Sequence, residues 1–204
     1  MADLQLTISN LAKNNIQSFV LENRNDLLPF FETQFADGAV VGVGDSVTLE
    51  VCGVYEYLRN RNLRFLDKYQ PLLSREQKRE IYLQNFNADF FLSSVNAISS
   101  EGKIYNLDGN GSRVAPIIYG PKKVFLVCGT NKIVETEEQA FERIKAVAAP
   151  LDAKRLNRKT PCAITGKCSD CHSPDRICNY YSIIQGQFDG GRICVVFIQE
   201  QLGY

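Results

Sequence analysis

Three features of the 204-residue sequence predict an α/β domain with three layers and a mixed sheet. Helix-type and strand-type patterns alternate at both ends of the chain. Two runs, Lys123–Cys128 (KVFLVC) and Arg192–Gln199 (RICVVFIQ), are apolar without alternation, as in strands covered on both faces. A glycine turn at 42–46 joins a β-branched run to an amphipathic stretch, giving a strand–turn–helix unit. The length suits one domain, expected over 1–204, which would bury about 70% of its unfolded surface.

Taken in order, Leu4 to Phe35 favours helix, with Leu11, Ile16, Phe19, Val20 and Leu27 or Leu28 apolar and Pro29 as an interruption. Ala39–Val43 reads as a strand. Val47, Val51, Val54, Tyr55 and Leu58 then recur at helical spacing. Arg64–Tyr69 is a weak strand, and Ser74-Arg-Glu-Gln77 is a capping box that opens a charged helix to about Asn87. Asp89–Ser99, Lys103–Leu107 and Arg113–Tyr119 are expected as three strands of an antiparallel meander, turned at Ser99–Gly102 and at Asp108-Gly-Asn-Gly111. After the Lys123–Cys128 strand, Thr136-Glu-Glu-Gln139 opens a helix expected to stop before Pro150. Residues 151–191 form a Cys-rich insertion with Tyr180–Ile184 as a short strand, and Arg192–Gln199 closes the core. A structureless loop of some 40 residues would need its own stabiliser.

Composition excludes several functions. Lys plus Arg (23) equal Asp plus Glu (23), so the basic excess that drives polyanion binding is missing, and no nucleic-acid partner is expected. No apolar run reaches the ~18–20 residues that span a bilayer, so no membrane partner is expected. The N-terminus carries neither the basic nor the apolar region of a secretory signal, and a cytoplasmic location is expected. One histidine and no G-x-S-x-G elbow argue against a serine hydrolase.

Four constellations carry chemistry. Gly42, Gly44, Asp45, Ser46 and Thr48 form a strand–helix turn where backbone and hydroxyl donors can meet an anion, or a plain capped turn. Ser94, Asn96, Glu101, Asp108, Asn110 and Arg113 gather at the meander turns. Glu101 and Asp108 are the candidate acid–base groups there, although Asp and Asn also stabilise turns by bonding their own backbone. Asn131 and Lys132 follow a buried strand, where a lysine can neutralise a carboxylate or phosphate or be simply solvated. Cys162, Cys168, Cys171 and Cys178 lie within 17 residues, whereas Cys52, Cys128 and Cys194 sit alone in apolar stretches. The tetrad suits a metal site, either Zn or an Fe–S cluster. A redox disulfide at Cys168/Cys171 and four inert thiols are the rival readings, with His172 a spare ligand or a bystander.

The stretch from Asn87 to Val134, the AFERIKAVAAP helix and TPCAITGKCSDCHSPDRIC together resemble the lactate-utilization (LUD) domain family. The likeness is to its stand-alone bacterial members with a C-terminal cysteine cluster, and it covers about residues 10–204. The resemblance implies a NagB/RpiA/CoA-transferase-like fold with a cleft for a small anionic metabolite. It places Gly42, Gly44, Asp45 and Ser46 at the glycine turn, although Gly44-Asp45-Ser46 departs from the G-G-S often seen there. It places Asn96, Glu101, Asp108, Asn110 and Arg113 on the N-A-I-S/T and D-x-x-G-x-R-V pattern, and Asn131 and Lys132 on G-x-N-K. It further implies a link to lactate or related 2-hydroxy-acid use, Fe–S-containing lactate-oxidation subunits as partners, and an Fe–S cluster over Zn at the cysteines. A non-catalytic or redox-sensing partner module, an independent transferase or isomerase acting on a CoA ester or sugar phosphate, and a homo-oligomer remain open.

Overall fold

The computed structural model describes residues 3–204. Its main sheet holds six parallel strands in the order β1 (Gln17–Leu21), β10 (Ile193–Ile198), β7 (Lys123–Gly129), β4 (Phe90–Ser94), β2 (Val40–Val43) and β3 (Arg64–Phe65). The two unbroken apolar runs are the adjacent strands β10 and β7, and they are apolar throughout because both faces are covered. Phe125 and Val127 face one cluster with Leu27, Phe31, Leu49 and Leu58 from α2 (Leu27–Gln34), α3 (Val47–Val51) and α4 (Val54–Arg59). Val124, Leu126 and Cys128 point the opposite way, as the two-residue strand period requires, onto Leu11 of α1 (Leu4–Lys13) and Ile117 of α6 (Val114–Ile118).

That second face also carries a mixed four-stranded sheet, ordered β8 (Ile133–Val134), β5 (Ala97–Ser99), β6 (Ile104–Asp108) and β9 (Tyr180–Ile184). Ile98 and Ile104 pack inward on the main sheet, while Ala97, Tyr105 and Leu107 meet Ala140, Ile144 and Ala149 of the helix that follows β8. The architecture is α/β with helices on both sides of the main sheet. Among the described residues no helix is long and apolar enough to cross a membrane.

Five expectations are corrected. The helical reading of 4–35 is split by β1. Asn15 takes a left-handed φ of +61° just after α1, ending the helix and turning the chain into an edge strand beside β10. Pro29 does not interrupt a helix but sits in the first turn of α2, where its missing N–H costs nothing. The antiparallel meander does not form. Asp89–Ser99 divides at Val95-Asn96 between the two sheets, β4 pairs in parallel with β2 and β7, and only β5–β6 is a hairpin. Arg113–Tyr119 is not a strand: 114–118 is α6, and the third partner of the hairpin is β9, antiparallel to β6. Finally, the helix at 137 runs past Pro150. Between α7 (Glu137–Arg143) and α8 (Ala149–Arg155) the chain makes a π-helical turn at Ile144–Ala148. A wider turn accommodates a proline that can neither donate nor tolerate the carbonyl four residues back. The Ser74 capping box opens α5 (Arg75–Gln84) as expected, and Thr136 caps α7 through Gln139.

Candidate functional site

A cleft of about 520 Å3 opens where β2, β4, β6 and β7 end. It draws Asp45 and Ser46 from the glycine turn, Asn96, Asp108, Asn110 and Arg113 from the β4–β6 region, and Lys132 from the turn after β7. Ligands of open parallel sheets gather at such strand ends.

Lys132 lies at its floor with 1% of its surface exposed. Its Nζ donates to Thr48 Oγ1 (2.9 Å) and to the Val95 carbonyl (3.2 Å). No carboxylate lies within ion-pair distance of it among the described residues. Burial pushes its pKa down from 10.5 to about 8, with the Arg143 and Arg113 charges acting in the same direction. A buried ammonium without a counter-ion is costly, and this cost falls on the residue facing the cleft.

Arg113 is placed differently. Nη1 donates to the Ser94 carbonyl (3.1 Å) and to Asn106 Oδ1 (2.9 Å), while Nη2 donates to Asn96 Oδ1 (3.0 Å) and to the Leu107 carbonyl (2.7 Å). Nε stands 3.6 Å from Asp108 Oδ2. The guanidinium fork is consumed in tying β4 to β6 and leaves little for a ligand. Gly44 makes this possible, because a Cβ there would lie 2.7 Å from both Arg113 Cγ and Ser93 Oγ. Asp108 is equally occupied: its Oδ1 accepts from Asn110 and Gly111 N–H and fixes the turn into α6.

At the glycine turn, Ser46 Oγ accepts from Leu49 N–H as the cap of α3. Asp45 accepts from Tyr69 OH (2.7 Å) and pairs with the buried Lys68 (3.0 Å). Burial disfavours its charge, but Lys68 and the Tyr69 hydrogen bond outweigh that and hold its pKa below the ordinary value.

Four candidates do not line the cleft: Gly44, packed under Arg113 and Ser93, and three others. Glu101 sits in the β5–β6 turn, half exposed and paired with Lys103 at 2.7 Å, against α1 through Asn14. Asn131 is turned toward the C-terminal segment, accepting from Leu202 N–H and donating to the Gly203 carbonyl. Gly42 lies within β2 under the side chain of Asn85. Conversely, Lys78, Tyr82, Asp152, Arg155, Arg158, Asp175, Arg176 and Tyr204 line the cleft without having been singled out. Six cations thus face four carboxylates: Lys78, Arg113, Lys132, Arg155, Arg158 and Arg176 against Asp45, Asp108, Asp152 and Asp175. The neutral chain conceals a locally basic cleft.

A second cavity, about 380 Å3, is lined by Cys162, Cys168, Cys171 and Cys178, with His172 beside them. All are free thiols. Burial raises the pKa of Cys178, and the neighbouring Cys171 and Cys168 add to the shift. Among the described residues no three Cys, His, Asp or Glu side chains stand close enough to hold one ion. Ala149, Arg176 and Ile177 line both cavities and form a shared wall.

No curated protein matches the sequence. Among solved structures, a DUF162 family protein from Deinococcus radiodurans superposes with a TM-score of 0.55 at 14% identity, over 96% of this chain and 94% of that one. The likeness is one of fold. The β subunit of eIF2B from Chaetomium thermophilum overlaps 57% of this chain and 44% of its own at 14% identity, with a TM-score of only 0.38. The LUD domain profile matches residues 4–198, and the chain belongs to the LUD domain family.

Proposed function

We propose that the protein binds a small organic anion in the cleft at the strand ends and serves the use of lactate or a related 2-hydroxy acid. The observation that carries this reading is Lys132: a buried cation, two of its three donors used and no carboxylate opposite it, at the floor of a basic cleft. An ammonium in that position is matched by an anionic ligand that supplies the missing acceptor and counter-charge. Membership in a family linked to lactate utilisation supports the metabolic context. Arg176 gives a second cationic point at the rim for a larger anion, whereas Arg155 and Arg158 are already paired with Asp152 (2.7 Å) and Asp175 (3.1 Å). Isothermal titration with lactate, pyruvate, sugar phosphates and CoA esters tests the reading. At least one is expected to bind the wild type and to lose on the order of tenfold or more in Lys132→Met, the loss of one charge-assisted hydrogen bond. Heat from none of them would refute it.

The cysteine tetrad forms the second part of the proposal, as the site of a thiolate-bound Zn or Fe–S group. Four thiols on one cavity are a donor set that suits either, provided the loop carrying them tightens around the group. Zinc would supply a structural staple, and a cluster would supply one-electron chemistry. Metal analysis and visible spectra after anaerobic purification decide between them, and full thiol titration without metal removes both. The shared wall of Ala149, Arg176 and Ile177 favours a second reading, a redox-sensing module whose thiol state alters the cleft. A transferase or isomerase working through Glu101 finds no support in the geometry, since that residue does not line the cleft and pairs with Lys103.

A further inference from the structure

We propose that Lys132 is a covalent site, an amine that captures the carbonyl carbon of an aldehyde or ketone bearing a carboxylate or phosphate. The inference rests on the anion-cleft reading above and adds a bond to it. A neutral lysine amine has two N–H bonds and one lone pair. Two acceptors are in place, Thr48 Oγ1 at 2.9 Å and the Val95 carbonyl at 3.2 Å. Both N–H bonds are held, so the lone pair takes the remaining tetrahedral direction. The surroundings raise the share of the neutral form, which exchanges with the predominant ammonium at neutral pH: the side chain is 1% exposed, no carboxylate faces it, and Arg113 and Arg143 are nearby cations. Arg143 is itself fixed on the Asn131 and Asn96 carbonyls, so it cannot swing away. Desolvation beside cationic groups is one of the ways an amine is made nucleophilic. With a pKa near 8, such an amine is unprotonated on the order of a hundred times more often at neutral pH than a solvated lysine.

The step balances without any oxidant or reductant. The Lys132 lone pair adds to the carbonyl carbon, the C=O π pair moves to oxygen, and a proton passes from nitrogen to that oxygen. Loss of the hydroxyl with the second nitrogen proton releases one water and leaves a C=N bond. Thr48 accepts from Lys132 and stands 3.4 Å from the Leu202 carbonyl as its own acceptor, giving a hydroxyl beside the departing proton. Arg176, the cleft arginine that no carboxylate pairs with among the described residues, would hold the anionic group.

The test is reductive trapping on the full chain. The protein is incubated with pyruvate, or separately with dihydroxyacetone phosphate, reduced with borohydride, and mapped by peptide mass spectrometry. One reduced adduct on Lys132 with either carbonyl is expected, and the probe that gives it identifies a 2-oxo acid or a phosphorylated ketone as the ligand class. Lys132→Arg is expected to lose the adduct. If that variant fails to fold, the position of the wild-type adduct decides alone. Labelling confined to surface lysines, or no labelling with either probe, overturns the covalent role. If titration still detects anion binding, the cleft reading survives that result; if it detects none, both fall.

Discussion

Replacing Lys132 by Met tests the claim that this residue is held in the cleft against the interest of the fold. Met is close to Lys in length and carries no charge. The Lys132 pKa falls from 10.5 in the unfolded chain to about 8 in the native protein. At about 1.4 kcal/mol per unit, holding the charge in the folded state below pH 8 costs about 3 kcal/mol. A depressed lysine pKa means that the unfolded chain binds more protons between pH 8 and 10.5, so native stability rises with pH in that window and the cost is fully present below it. Met removes the cost but leaves the Val95 carbonyl and Thr48 Oγ1 without their donor, a loss of about 1–2 kcal/mol. The variant is therefore expected to be more stable than wild type by about 1–2 kcal/mol at pH 7 in urea unfolding. The sign should reverse toward pH 10.5, where the wild-type amine is neutral and its hydrogen bonds remain. A variant destabilised by several kcal/mol at pH 7, with a gap independent of pH, would refute the reasoning and make Lys132 a structural residue.

Other substitutions follow from the same geometry. Arg113→Ala removes the four hydrogen bonds that tie β4 to β6 and leaves Asp108 without its cation, and is expected to cost about 3–5 kcal/mol in chemical denaturation, with Arg113→Lys recovering little because the two-pronged fork is lost. Gly44→Ala forces a Cβ to 2.7 Å from Arg113 Cγ and is expected to cost about 1–3 kcal/mol by the same measurement. Glu101→Gln removes a surface pair with Lys103, worth about 1 kcal/mol at most, and should leave anion affinity unchanged by calorimetry. A tenfold loss there would bring Glu101 back into the site.

Legibility in the sequence followed the range of the forces involved. The runs at 124–128 and 193–198 announce themselves because burial on both faces leaves no polar position, and Ser74 and Thr136 announce helix starts through bonds three residues long. The strand at Gln17–Leu21 was hidden because its apolar residues also fit a helix, and pairing with β10, some 175 residues away, decides between them. Arg113–Tyr119 reads as β-rich in isolation. It becomes helical because Asp108 fixes the preceding turn and Ile117 has a pocket against the main sheet. In the cleft, Asp45, Ser46, Asn96, Asp108, Asn110, Arg113 and Lys132 come together from separate turns. The sequence could not reveal that Arg113 is spent on the backbone, or that Arg155 and Arg176, on a helix and in the Cys-rich segment, complete the same wall.

The most direct measurement is a crystal structure with the anion that titration selects. The expected result is an anionic oxygen at hydrogen-bond distance, about 3 Å, from Lys132 Nζ on the side not taken by Thr48 and Val95, or, for a carbonyl compound, continuous density from that nitrogen. An anion seated elsewhere, with Lys132 unengaged, would contradict the account.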